Sequence, residues 1–263
     1  MKILFIGDIV GHGGREAVRQ LAPELRREFC CSMVIANAEN VAAGNGLTAA
    51  CLREMSDAVD FFTAGDHVWD QKGFDQEIKT IPNLVRPANL SPLQPGVGVR
   101  VVRNPAGGEV AVIALQGKVF MKESANCPFE TVDRILKELP PAVKTVFVDM
   151  HAEATSEKIA MGYFLEGRVT AVLGTHTHVQ TADARVLPGG TAYISDVGMV
   201  GAERSVLGRE VEAVVEKFRT GLPRRFPVAE GRIRLDGCVV SYDAATGRAD
   251  GIQPVSRFWE KPL

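Results

Sequence analysis

Two histidines two positions apart, His176 and His178, follow an apolar segment that ends in Gly174. Residues 169–173 are all apolar or β-branched, which predicts a buried strand. Side chains at i and i+2 of an extended segment point to the same side, so both imidazoles are predicted to face one ion or two adjacent ions. Neutral imidazole suits zinc, iron, manganese or copper better than calcium or magnesium. The same spacing also occurs in strand-end loops without function, so the rest of the chain has to decide between these interpretations.

Acidic residues and further histidines follow four other segments that the apolar pattern predicts to be strands. Each group stands where a strand ends, and the carboxyl ends of strands in an α/β sheet share one edge. These further candidates are Asp8, Glu39, Asn40, Asp66, His67 and His151. Together with the two histidines above they form a mixed nitrogen and oxygen set, which suits a pair of metal ions about 3.5–4 Å apart. His12, the fifth histidine, lies in a glycine-rich loop outside this set, where an exposed loop histidine is the favoured interpretation and a contact with substrate is the alternative.

The elements that must position these residues alternate between strand and helix patterns. Buried strands are predicted at residues 3–6, 33–36, 61–63, 143–148 and 169–173. Helices are predicted after Arg15, at about 129–139 and at about 209–220. Hairpins are predicted within 97–115 and 183–195, and an Asp236-Gly237 turn predicts another near the C-terminus. The pattern indicates an α/β fold whose alternation is interrupted by hairpins.

Composition and length narrow the class of protein. The chain has 263 residues, of which 46% are hydrophobic and 24% charged, with no repeat or convincing linker, so we expect one soluble domain spanning 1–263. A net charge of −2 does not indicate general affinity for nucleic acid or an anionic membrane. Five scattered cysteines without a CxxC motif predict a reduced, cytoplasmic chain. Neither a signal peptide nor a membrane-spanning segment is predicted.

The candidate residues form a series of motifs with a recognisable order. In chain order they are Gly7-Asp8, Glu39-Asn40, Gly65-Asp66-His67, His151 and Gly174-Thr175-His176-Thr177-His178. This order resembles the calcineurin-like metallophosphoesterases, and it most resembles their YmdB-like bacterial branch. Longer blocks that also resemble this branch are residues 7–11, 37–44, 86–89, 151–158, 175–183 and 194–199. The resemblance extends from the first residues to about residue 201.

The resemblance implies a fold, a cofactor and a role for each site residue. The fold is a four-layer α/β/β/α sandwich with two mixed β-sheets, and the cofactor is a pair of transition-metal ions, iron or manganese first and zinc as the other candidate. The implied ligands are Asp8, Asn40 and His178 for one ion, Asp66, His151 and His176 for the other, and Glu39 as a bridge. His67 is implied to be a catalytic residue that does not bind metal but donates a proton or hydrogen bond to the phosphoryl group.

The activity implied by the resemblance is hydrolysis of phosphodiesters, particularly 2′,3′- or 3′,5′-cyclic nucleotides, together with phosphomonoesterase activity. Two cations offset the repulsion between hydroxide and a phosphate ester and lower the pKa of a bridging water. The resulting hydroxide is expected to attack phosphorus in line with the leaving oxygen. The expected partner is therefore a small phosphoester or nucleotide, and the sequence leaves open whether the chain forms a homo-oligomer.

Two other functions are consistent with part of the pattern. Asp66 stands where the resembling family usually has Asn, and its extra negative charge beside an anionic substrate keeps open a metal-retaining regulatory or nucleotide-binding protein with little turnover. Metal-dependent amidohydrolases also use two histidines spaced in this way, but at the first strand of an eightfold barrel. Here the pair comes late and hairpins interrupt the alternation, so the amidohydrolase interpretation is disfavoured.

Overall fold

Two mixed β-sheets form the centre of the molecule, and a computed structural model describes residues 1–122 and 124–260. The strands are β1 (Lys2–Ile6), β2 (Asp8–Ile9), β3 (Met33–Asn37), β4 (Phe61–Thr63), β5 (Leu84–Val85), β6 (Val99–Arg103), β7 (Glu109–Gln116), β8 (Thr145–His151), β9 (Ala171–Thr175), β10 (Arg185–Val186), β11 (Ala192–Ile194), β12 (Met199–Ala202), β13 (Ile233–Tyr242) and β14 (Ala249–Trp259). The helices are α1 (Gly11–Glu28), α2 (Ala49–Glu54), α3 (Phe74–Glu77), α4 (Pro128–Glu138), α5 (Thr155–Phe164) and α6 (Val211–Thr220).

Each sheet combines a parallel centre with antiparallel neighbours. The first sheet has the order β2-β12-β13-β1-β3-β4-β5. Strands β12 and β1 pair with different parts of β13, and β14 pairs along its length. Within it β1, β3, β4 and β5 are parallel, and β13 is antiparallel to β1. The second sheet has the order β10-β11-β9-β8-β7-β6, in which β7, β8, β9 and β11 are parallel. The antiparallel pairs β6–β7 and β10–β11 are the two predicted hairpins.

The two-residue period of the strands divides the apolar side chains between separate layers. In β1, Leu4 and Ile6 pack under α1, whereas Ile3 and Phe5 pack in the core that the two sheets share. Strand β7 alternates in the same way between the shared core and a third core beneath α4 and α5. Three apolar cores therefore separate four layers of secondary structure, which confirms the predicted α/β/β/α sandwich.

Helix α1 covers the first sheet and begins at Gly11, so it includes the glycine-rich segment and starts earlier than the predicted start after Arg15. Its buried apolar residues Ala17, Val18, Leu21, Ala22 and Leu25 recur at helical spacing and form the predicted apolar face. In the described part of the chain, every helix is too short or too polar to cross a lipid bilayer.

The predicted turn at Asp236-Gly237 is wrong. Both residues lie inside β13, and the hairpin to β14 turns instead at residues 243–248. Gly237 pairs with Ile6 of β1, and a Cβ atom at this position would lie 2.5 Å from the carbonyl oxygen of Phe5. The close approach of β1 and β13 explains why residue 237 is a glycine. An Asp-Gly dipeptide by itself does not show whether its glycine serves a turn or a close contact between strands.

Candidate metal centre

Four potential ligands from both sheets meet at one point. Glu39 and Asp66 follow β3 and β4 of the first sheet, whereas His151 ends β8 and His176 follows β9 of the second sheet. One nitrogen or carboxylate oxygen from each side chain lies within 4.8 Å of the corresponding atoms of the other three. These four residues are the ones that the resemblance assigns to the second metal and its bridge, and the fold brings them together.

His151 lies at the centre of this group and is fully buried. Its Nε2 is 2.9 Å from Asp66 Oδ1 and 3.2 Å from Glu39 Oε2. The same nitrogen is 3.0 Å from Nδ1 of His176. Two carboxylates and two imidazoles therefore point their ligand atoms at a common volume, and this set of nitrogen and oxygen atoms suits a transition-metal ion.

The remaining three predicted ligands form a second group next to the first. His178 Nε2 is 3.7 Å from Asp8 Oδ1 and 3.3 Å from Asn40 Nδ2. Asn40 Nδ2 also donates to Glu39 Oε1 at 3.0 Å, so Glu39 lies between the two groups. An amide binds a metal ion through its oxygen, so the Asn40 amide has to rotate to act as a ligand. The structure thus brings all seven predicted ligands together, and their binding of metal stays a prediction.

The unpaired oxygen of Asp8 tests whether a metal ion fits this site. Asp8 is fully buried, and within the described residues its Oδ1 has no hydrogen-bond partner. Its Oδ2 accepts a hydrogen bond from the backbone N–H of His176 at 3.2 Å. A buried carboxylate oxygen without a partner is costly, and a cation beside Oδ1 would remove that cost. The residues present therefore fit a metal centre.

The space at the centre is too narrow for a side chain at Gly65. A Cβ atom on Gly65 would lie 2.2 Å from Glu39 Oε2 and 2.2 Å from the Cδ2 atom of the His151 ring. Even a methyl group would push these two ligands apart. The glycine before Asp66 is therefore required by the packing of the ligands around it.

Burial and charge strongly perturb the ionisation of the cluster. Burial raises the pKa of Asp8 well above its usual value. Burial alone would lower the pKa of His151, but the neighbouring carboxylates, Glu39 first, outweigh it and raise that pKa well above its usual value. Burial lowers the pKa of His178. Imidazole binds metal only in its neutral form, so the raised pKa of His151 makes protonation compete with metal binding.

The extended geometry predicted for the segment that carries His176 and His178 is wrong. Strand β9 ends at Thr175, and the two histidines have φ angles of 97° and 62°. Residues other than glycine rarely adopt this left-handed region, which costs about 1–3 kcal/mol per residue and concentrates at functional sites. The two imidazoles therefore reach the metal ligands from a tight turn, not through the alternation of a strand.

A buried ion pair, which the sequence did not predict, holds this turn in place. Lys158 Nζ donates to Asp196 Oδ2 at 2.9 Å and to the Thr175 carbonyl oxygen at 2.9 Å. Asp196 Oδ2 also accepts from the backbone N–H of Thr177 at 3.0 Å and from its hydroxyl at 2.6 Å. Both charged side chains are about 1% exposed. The only sequence signal was that they lie in the resembling blocks 151–158 and 194–199.

A second buried network, also missed from the sequence, lies behind His151. The Thr175 hydroxyl is 2.9 Å from His151 Nδ1 and donates to Asp149 Oδ1 at 2.6 Å. Asp149 Oδ2 accepts from the Thr63 hydroxyl at 2.5 Å and from Asn37 Nδ2 at 3.0 Å. Burial raises the pKa of Asp149. These residues lie within or at the ends of strands, where nothing in a single sequence marks them as partners of a ligand.

His67 lies at the rim of the centre, outside the group of potential ligands. It belongs to a 3₁₀ turn, Asp66–Trp69, and its side chain is 27% exposed in the cleft above the ligands. Its Nδ1 is 2.7 Å from Asp70 Oδ2, which orients the ring. The three-residue spacing of His67 and Asp70 could have indicated this pair from the sequence. Its catalytic role stays a prediction.

Comparisons with known proteins place this geometry in a family. The family model described as YmdB-like protein matches residues 4–255. The chain belongs to the YmdB-like family. A curated relative from Bacillus subtilis (strain 168), 2′,3′-cyclic-nucleotide 2′-phosphodiesterase, is 45% identical over 97% of this chain and 96% of the relative.

Solved structures confirm the fold of this YmdB-like protein. The structure of a novel phosphatase from Mycoplasma pneumoniae has a TM-score of 0.92 and 31% identity, covering 100% of this chain and 95% of the other. The calcineurin-like phosphoesterase YfkN from Bacillus subtilis has a TM-score of 0.53 and 11% identity, covering 97% of this chain and 90% of the other, and so shows the fold alone. The predicted resemblance to the YmdB-like branch is confirmed, and the fold is the one shared with a calcineurin-like phosphoesterase.

Proposed function

We propose that this YmdB-like protein hydrolyses phosphodiesters, with 2′,3′-cyclic nucleotides among its substrates, at a centre of two iron or manganese ions. At a coarser level the chain is a metal-dependent phosphoesterase, and therefore a hydrolase. The observation that carries the proposal is the buried convergence of ligand side chains from both sheets around an unpaired Asp8 oxygen. The name of the Bacillus subtilis relative supports the choice of cyclic nucleotides.

The residues of the centre divide into ligands and one proton donor. Asp8, Asn40 and His178 would hold one ion, and Asp66, His151 and His176 the other, with Glu39 between them. Two bound cations supply Lewis acidity that offsets the charge of the diester and lowers the pKa of bound water. Asp70 orients His67 through Nδ1, which leaves Nε2 as the ring atom that would donate a proton or hydrogen bond to the leaving oxygen.

We also propose that the protein is cytoplasmic and forms a single domain. The scattered cysteines support a cytoplasmic protein, because structural disulfides are rare in that compartment. The apolar core shared by the two sheets supports a single domain over residues 1–263. A small phosphoester is the expected partner.

Metal replacement tests the proposed reaction. Metal-stripped protein reloaded with manganese or iron should regain hydrolysis of bis-p-nitrophenyl phosphate, and it should cleave this diester faster than p-nitrophenyl phosphate. Asp8→Ala and His178→Ala should each reduce the rate at least about 100-fold, because each removes a proposed ligand and not merely its outer support. Rates and bound metal per chain are measured on the same samples.

His12→Ala is the matched control for the ligand variants. The His12 side chain is 65% exposed and lies outside the cluster, so its removal should leave both metal content and rate unchanged. Two metals bound to the wild-type protein without turnover would contradict the proposal and would support the regulatory alternative.

The proposed role of His67 has its own test. His67→Ala should lower kcat for the diester by about 10²–10⁴-fold at full metal occupancy, because the leaving oxygen loses its proton donor. Metal content should stay at the wild-type level, since His67 is not one of the proposed ligands. An unchanged kcat with both metals bound would remove the catalytic assignment while leaving the metal centre intact.

A further inference from the structure

A cleft of about 540 Å³ opens directly beside the metal centre. On one side it is lined by the proposed ligands Glu39, Asn40, His176 and His178. Its lining also includes the large apolar residues Leu207, Phe218 and Phe226, which we call the apolar wall. The catalytic centre and a surface of large apolar side chains therefore share one cavity.

All three residues of the apolar wall are exposed to solvent. Phe218, on α6, is 80% exposed, and Leu207 and Phe226 are 46% and 37% exposed. Single exposed apolar residues are common, but a group of them lining a cavity indicates a binding surface. Two phenylalanine rings beside a phosphoester centre offer a place for a flat organic group.

Hydrogen bonds hold the apolar wall at a set position relative to the ligands. The Leu207 carbonyl oxygen accepts from Nδ1 of the proposed ligand His178 at 3.1 Å, and Leu207 has a φ angle of 52°. The Arg209 guanidinium donates to the carbonyl oxygens of Gly44 at 2.6 Å and Phe226 at 3.2 Å. The wall is thus connected to the metal centre on one side and to the loop after β3 on the other.

The charges of the cleft select against a second phosphate charge. Among its described lining residues, Arg209 is the only lysine or arginine, and its guanidinium is directed at the carbonyl oxygens of Gly44 and Phe226. Glu153 adds a half-exposed carboxylate 3.2 Å from Nε2 of His176. A monoanionic diester with an apolar substituent fits this cleft better than a dianionic monoester does.

We propose that the apolar wall is the nucleobase subsite, on which the base of a cyclic nucleotide stacks while its phosphodiester lies over the metal ligands. This inference rests on the proposed function, because it names where that substrate places its base. The wall offers ring faces and a methyl-bearing side chain but no side-chain hydrogen-bonding group. The subsite therefore accepts purines and pyrimidines alike, since every base has a face that can stack.

A pair of substrates that differ by the nucleoside tests the subsite in the metal-loaded enzyme. 2′,3′-Cyclic AMP and glycerol 1,2-cyclic phosphate carry the same five-membered cyclic diester, but only the first has a base. Phe218→Ala should raise KM for 2′,3′-cyclic AMP by about tenfold, the loss expected when one stacking contact is removed. The kcat for the nucleotide, and kcat/KM for the glycerol compound, should not change. Hydrolysis is followed by ³¹P NMR.

Two further variants separate stacking from structural damage. Phe218→Trp keeps an aromatic face and should keep a KM close to that of the wild type. Val215→Ala truncates another exposed apolar residue of α6, 42% exposed and outside the cleft lining, and should change neither substrate.

Distinct outcomes overturn the subsite and the proposed function. The subsite is refuted if Phe218→Ala leaves KM for the nucleotide unchanged, or if it affects both substrates equally. A change of oligomeric state in Phe218→Ala, measured by analytical ultracentrifugation, would instead identify the wall as a contact between copies of the chain. If the metal-loaded wild-type protein hydrolyses neither substrate, the proposed function itself fails.

Discussion

One hydroxyl group determines which nitrogen of His151 is available to a metal ion. The Thr175 hydroxyl uses its single proton to donate to Asp149, so it can only accept from His151 Nδ1. The proton of a neutral ring then resides on Nδ1, and the lone pair of Nε2 faces Glu39 and Asp66. Partners behind a ligating histidine fix its tautomer and the direction of its ring in this way.

Removal of this hydroxyl should weaken metal binding. Thr175→Val keeps the shape of the side chain but leaves His151 Nδ1 and Asp149 without their common partner. The Kd for manganese, measured by competition with a chelator, should rise about 10–100-fold.

Thr175→Ser is the matched control for this variant, because it keeps the hydroxyl and should keep the wild-type Kd. A folded Thr175→Val protein that binds manganese as tightly as the wild type would show that the hydroxyl does not position the ring.

Asp66 gives the cluster a third carboxylate, after Asp8 and Glu39. Its Oδ1 lies 2.9 Å from His151 Nε2 and 3.4 Å from His176 Nδ1, so its charge is directed at two proposed ligands. An additional negative charge next to the proposed ligands attracts metal cations, and it repels an anionic substrate that binds to them. Tight metal binding without turnover would therefore be attributed first to this residue.

At the scale of elements, the contact between α5 and the turn after β9 positions two of the proposed ligands. Lys158 projects from α5 and donates to the Thr175 carbonyl oxygen, while Asp196 accepts from the backbone N–H and the hydroxyl of Thr177. The turn held by these two side chains carries His176 and His178, both with left-handed backbone angles. The buried ion pair thus stabilises a conformation that the turn would not adopt alone.

Breaking this ion pair should destabilise the fold. Lys158→Met leaves the charge of Asp196 buried without its partner, which costs about 3–5 kcal/mol of the free energy of unfolding. Urea unfolding of metal-stripped protein measures the change without a contribution from bound metal.

Lys137→Met provides the comparison for Lys158→Met. Lys137 pairs with Asp133 across one turn of α4, with its own side chain 74% exposed, and exposed pairs contribute little to stability. Equal unfolding midpoints for the two variants would contradict a structural role for the buried pair.

At the scale of the whole molecule, packing across the shared core places the ligand-bearing edges of the two sheets next to each other. Glu39 and Asp66 come from the first sheet, and His151 and His176 come from the second, yet their ligand atoms lie within 4.8 Å. Apolar side chains from β1, β3, β7 and β8 pack between the sheets, and the buried polar residues Asp149 and His151 lie at the end of this layer next to the site. Packing between the sheets therefore assembles the site, because the proposed ligands of each metal ion come from both sheets.

The sequence by itself determined most of the longer strands, helices α1, α4 and α6, and the residue types of the site. A strand buried on both faces needs a run of apolar residues, and polar residues directly after such a run mark its end. Both are local properties, so residues 3–6 and 61–63 were predicted close to their observed bounds. The order of the motifs indicated the family, and the resemblance to that family implied the four-layer arrangement.

Only the tertiary structure decided how distant residues act on the site. Lys158 meets Asp196 across 38 positions, and Asn37 meets Asp149 across 112, so no local pattern could indicate either contact. The Asp236-Gly237 dipeptide has the composition of a turn, but the close approach of β1 keeps Gly237 inside a strand. Local composition limits what a segment can form, and packing against the rest of the chain selects which of those forms is stable.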